Sequence, residues 1–150
     1  MKKWLLKKTE QYIERVIEIK HSPGAIAAGF AIGTFIGILP TPGLNILIGF
    51  LVMLLVPRIS KIALFAAIII WNPFVAAPTY WLSYKIGAYL FAGEPLVKYN
   101  LDILNKAYEF SRRFLVGNII VASALSASSY FLVKWIATEY KKHKKHEIAE

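Results

Sequence analysis

Three dipeptides in this 150-residue chain have the chemistry of helix starts: Ser22-Pro23, Thr41-Pro42 and Asn72-Pro73. Ser, Thr and Asn side chains accept hydrogen bonds from first-turn amides. Proline suits the first helical position because its missing N–H would have no partner there. A helix N-terminus carries partial positive charge and unpaired donors, which is the chemistry of an anion site. Two such ends converging inside apolar sequence, at Thr41, Pro42 and Gly43 and again at Asn72 and Pro73, would favour a phosphate-like group. Asn45, Thr79 and Tyr80 would add hydrogen bonds there, and Lys85 a countercharge.

Each feature also has a plainer account. Pro42-Gly43 fits a tight turn between two antiparallel helices. Asn72-Pro73 fits a kink whose freed carbonyls are satisfied by neighbouring helices. Lys85 fits a side chain that snorkels to an interface. Catalysis has no support. General acid–base work wants carboxylates or histidines in a cleft, yet no Asp, Glu or His lies between Pro23 and Gly93. Cysteine is absent, which excludes disulfides and thiolate metal sites. His143 and His146 sit in a Lys-rich tail and read as solvated, so no metal or cofactor is expected.

The elements that must position these residues belong to a membrane protein. The chain is 57% hydrophobic and only 18% charged, and between Pro23 and Gly93 its charges are Arg58, Lys61 and Lys85. An ion at membrane depth costs about 2.5–3.5 kcal/mol on insertion scales, so a bilayer as solvent accounts for this desert. The net charge of +9 gathers at the ends, in Lys2, Lys3, Lys7 and Lys8 and in Lys141, Lys142, Lys144 and Lys145. That placement fits anionic lipid and the positive-inside rule rather than nucleic acid.

The expected fold is therefore an all-α integral membrane protein with about four transmembrane, broken or re-entrant helices. Residues 1–21 form an amphipathic interfacial helix, with Trp4, Leu5, Ile13, Val16 and Ile17 on one face. Residues 22–93 form a core of two Pro-broken helical hairpins, with Ser60 near the start of the second. Residues 94–113 are interfacial, 114–137 span the membrane, and 138–150 are a basic tail. Four crossings place both termini in the cytoplasm; a re-entrant 60–91 segment would separate them. The runs 24–56 and 61–92, each apolar, broken and apolar again, suggest an inverted repeat. Ala25, Gly29, Gly33 and Gly37 make a small-residue stripe for close helix packing, within the chain or against a second copy.

The segment "SPGAIAAGFAIGTFIGILPTPG", followed by "WNPFVAAPTYWLSYKIG", resembles a prokaryotic membrane family, the Domain of Unknown Function family numbered 2062. The matching positions are Ser22-Pro23, Gly29, Gly33, Gly37, Pro40, Pro42-Gly43, Asn72-Pro73, Pro78 and Gly87. Relatives in that family look to be joined to glycosyltransferase domains, which implies work near lipid-linked sugars or their polyprenyl-phosphate carriers. The leading expectation is a small transporter, flippase or binder of an anionic, phosphate-bearing lipid. The alternatives are a membrane adaptor that recruits a cytoplasmic enzyme through its basic ends and an oligomeric channel lined by the glycine stripe.

Overall fold

A computed structural model describes residues 22–149 apart from Glu94. The amphipathic helix expected over 1–21 lies outside the described residues. Among those residues there are five helices and no strand: α1 (Pro23–Ile38), α2 (Leu44–Leu55), α3 (Lys61–Ile70), α4 (Pro73–Leu90) and α5 (Asp102–Ala149).

Local chemistry starts three of them. Ser22 Oγ accepts from the Ala25 N–H at 3.2 Å and opens α1. Ser60 Oγ accepts from the Ala63 N–H at 3.3 Å and opens α3. Asn72 Oδ1 accepts from the amides of Phe74 and Val75, at 3.0 and 3.2 Å, and opens α4 with Pro73 in its first turn. The second expected cap-proline start is corrected. Thr41 C=O accepts from the Leu44 N–H at 3.1 Å. Gly43 has φ 83° and ψ −23°. This is a type II turn with Pro42 at its second position and Gly43 at the third, where positive φ is required. Pro42 therefore precedes the helix, which begins at Leu44.

The glycine stripe decides how α1 packs. A Cβ on Gly29 would run into the Ser60 carbonyl, and one on Gly33 into that of Leu64. On Gly37 it would stand 2.7 Å from Trp71 Cβ. α3 thus lies along α1 in the same direction, at backbone contact, and the stripe's partner belongs to this chain. The Ser60 N–H reaches across that contact to the Ala25 carbonyl at 3.1 Å. Each helical glycine costs about 1 kcal/mol against alanine; here the close approach is what it permits. Ile36, Ile59, Leu64 and Ile68 close the core of this unit, with Ile48 and Val52 of α2 packed against it. α2 adds Gly49, whose missing Cβ leaves room for Ile68, and Phe50, whose ring lies 5.0 Å from that of Phe65.

α5 runs against both α1 and α4 in the opposite sense. Asn118 meets the Ile38 carbonyl at 3.3 Å, and Ser126 Oγ donates to that of Ala31 at 2.7 Å. On the other side, a Cβ on Gly87 would collide with the Arg113 carbonyl, and one on Gly117 with that of Ser83. The rings of Tyr80 and Phe114, and of Tyr84 and Phe110, add contacts at 5.6 and 5.4 Å. α5 is continuous over 48 residues, so the boundary expected at residue 114 is not an element boundary. Charged side chains on an exposed helical face do not interrupt its backbone bonds, which is why the change in composition is not a change in structure. "NPFVAAP" is helical from Pro73 onward: the chain turns by 74° between α3 and α4 and then holds Pro78 inside α4.

α5 is long and apolar enough to cross a membrane by itself, and α3 with α4 would be if the bent pair counts as one. α1 and α2, of 16 and 12 residues, are shorter apolar helices.

Candidate functional site

The two breaks meet. The turn after α1, the start of α2 and the α3–α4 junction enclose a cleft of about 280 Å³. Gly37, Leu39 and Pro40 form one wall, Pro42 and Asn45 a second, and Trp71, Pro73 and Tyr80 the third. Residues far apart in sequence thus share one space, and no carboxylate lines it.

Hydrogen bonding decides what the cleft offers. The Thr41 hydroxyl donates to Asn45 Oδ1. That bond fixes the amide so that Asn45 Nδ2, which has no partner among the described residues, remains a donor. The Leu44 N–H is taken by Thr41 C=O, and no side chain caps the amides that follow in α2. The N-terminus of α2 is therefore open, and Gly43 leaves its approach bare, with nothing within 4 Å of where a Cβ would be. Two carbonyls beside it are occupied: Leu39 C=O accepts from the Thr41 N–H at 2.8 Å, and Ile38 C=O from Asn118 Nδ2 at 3.3 Å.

Not every expected residue takes part. Asn72 is at the junction, but its Oδ1 already serves two α4 amides, so α4 contributes no open N-terminus. The picture of two converging free helix ends is corrected to one, because Asn72 is long enough to cap and Gly43 has no side chain. Thr79 turns back on its own helix and donates to the Ala76 carbonyl at 2.6 Å. Lys85 is exposed, with Nζ 5.3 Å from the centre of the Trp81 ring. It does not line the cleft, since five helical residues carry it around and along α4 from Tyr80. Ala25, Gly29, Gly33 and Gly37 are packing residues, with Gly37 also in the cleft wall.

Sequence reasoning missed the polar layer beneath the cleft. Ser83 and Asn118 are fully buried; Ser83 Oγ donates to Thr79 C=O at 2.6 Å and lies 3.5 Å from Asn118 Nδ2. Asn118 Oδ1 and Thr34 Oγ1 are enclosed without a partner among the described residues. A lone Asn in an apolar run was the available signal.

Short apolar helices, broken by turns around a small cleft and packed on one continuous 48-residue helix, are the class of protein defined by this fold and site. The chain belongs to a bacterial family, described as "Uncharacterized protein conserved in bacteria (DUF2062)", whose model matches residues 6–146. No curated protein and no solved structure gives a significant match.

Proposed function

We propose that this chain is a multi-pass protein of the cell membrane that binds, and carries across, an anionic phosphate-bearing lipid such as a polyprenyl phosphate. The observation that carries this reading is the meeting of Asn45, Trp71 and Tyr80 with the open N-terminus of α2 in one cleft. Backbone amides at a helix start and neutral side-chain donors suit an oxyanion. Irregular backbone among apolar helices is tolerated where it lines such a cavity.

Several observations support the membrane setting. Large apolar side chains face outward on α2, α3, α4 and α5, with Phe74 91% and Ile62 79% exposed. A surface of that kind is costly in water and normal in lipid. At 1.5 Å per residue, α1 and α2 reach about 24 and 18 Å, short of a core of about 30 Å, so they enter and return as a hairpin with its tip at the cleft. α3 runs with α1, while α4 and α1 both oppose α5, which makes the bent α3–α4 pair one passage. Both termini then fall on one side, together with exposed Arg58 and Lys61, and the positive-inside rule makes that side the cytoplasm.

The decisive experiment exploits the absence of cysteine. Asn45→Cys and Tyr80→Cys are labelled with a membrane-impermeant maleimide in reconstituted vesicles, with and without added polyprenyl phosphate. Labelling of both that the lipid suppresses is the expected result. Labelling of Asn45→Cys alone, indifferent to lipid, would remove the substrate site.

The adaptor alternative draws on α5, which continues in helical form through Lys141, Lys142, Lys144 and Lys145 beyond its apolar part. Such an end would offer a basic arm to a cytoplasmic partner, and lipid-indifferent labelling would favour it. A channel lined by the glycine stripe has no lining left, because α3 covers that face.

A further inference from the structure

The strongest group outside the cleft lies at the other end of α4, about 27 Å away by helical rise. There Arg112 and Arg113 of α5 meet Phe91, which ends α4. The two arginines are built differently. Arg113 Nη2 donates to the Phe91 carbonyl at 3.3 Å and stands 4.0 Å from Glu109 Oε2. A cation beside the negative end of a helix and next to a carboxylate is a structural cap.

Arg112 makes no ion pair among the described residues. Its Cζ lies 4.3 Å from the centre of the Phe91 ring and 5.8 Å from that of Tyr108. The aromatic rings hold the guanidinium plane and leave its hydrogen-bonding edge as the functional face, since the N–H groups lie in that plane. Arg112 Nε and Nη1, together with Arg113 Nε, are covered and have no hydrogen-bond partner among the described residues. A guanidinium held in this way without a counter-ion is a natural complement to an oxyanion at its open end. Arg112 Nη2 is neither covered nor bonded among the described residues, so that end of the guanidinium remains reachable.

The surroundings say what carries the oxyanion. The residue after this pair is Phe114, where the long apolar run of α5 begins. Tyr89 and Leu90, beside Phe91 in the chain, and Leu115, one turn beyond Arg112 on α5, are exposed at 86%, 52% and 49%. We propose that Arg112 is the anchor of a second anion site, taking the phosphate of an anionic phospholipid whose chains lie on this apolar surface. The site is independent of the cleft.

The test uses the full chain purified in neutral detergent. Thermal unfolding is followed during titration with phosphatidic acid, with diacylglycerol of the same chains, and with inorganic phosphate. Phosphatidic acid alone should stabilise the wild type. Arg112→Gln should weaken that response by about tenfold or more, the effect of losing a charge-assisted hydrogen bond, and leave the lipid-free melting temperature in place. Phe91→Leu, which removes the stacking ring, should weaken it in the same direction without touching a donor. An undiminished lipid response in Arg112→Gln overturns the proposal. So does a lower lipid-free melting temperature with the response intact, which would make Arg112 a packing residue. Equal stabilisation by inorganic phosphate would mean that the site takes a free ion and not a lipid.

Discussion

Gly117 of α5 lies directly against the carbonyl of Ser83 in α4, so closely that any side chain at this position would collide with backbone. Gly87 stands in the same relation to the Arg113 carbonyl one turn along. The pair fixes how α4 sits on α5 and, through Tyr80 and Phe114, where one wall of the cleft is held. Gly117→Ala should lower stability by about 1–3 kcal/mol, as overpacking does. Gly93→Ala, with open space around it, should change little. Melting temperatures in detergent compare the two.

Gly43 tests backbone strain without crowding. It has φ 83° and nothing near it, so Gly43→Ala should cost about 1 kcal/mol from conformation alone. Gly43→Asn should cost less, because Asn tolerates the left-handed region. Equal losses in denaturant or thermal unfolding would contradict the type II turn.

Asn118 joins three helices, through Ile38 of α1 and Ser83 of α4. Asn118→Ala leaves a cavity and strips a buried carbonyl of its donor, for a loss of about 2–4 kcal/mol. Asn118→Leu fills the volume and removes the unpaired Oδ1, so its loss should be the smaller of the two. The order of the two melting temperatures is the readout.

Asn72 caps α4 through two amides. Asn72→Ala should destabilise by about 1 kcal/mol, and Asn72→Asp should recover most of it. Hydrogen exchange at Phe74 and Val75 should quicken in the alanine variant and return towards wild type in the aspartate.

Much of this architecture is written locally. Ser22-Pro23 and Asn72-Pro73 announce helix starts because a cap is made within three residues of sequence. The spacing of Gly29, Gly33 and Gly37 announces a close helix contact because it places bare backbone on one face. The apolar desert announces apolar helices, with no charged residue in α1 or α2. Thr41-Pro42-Gly43 was ambiguous for the opposite reason. The same residues make a cap or a turn, and what separates them is the sign of φ at Gly43.

The sequence by itself determined that the chain is helical, where it breaks, and which face of α1 lies against backbone. Only the tertiary structure decided that α3 fills that face, that Asn45 and Tyr80 share a cleft while Lys85 does not, and that Arg112 stacks on Phe91 with its donors unpaired. The reason is separation along the chain. Caps and stripes are set by neighbours a turn apart, whereas the cleft and the arginine pair depend on how α4 crosses α5, and that is fixed by two glycines 30 residues apart that no local pattern connects.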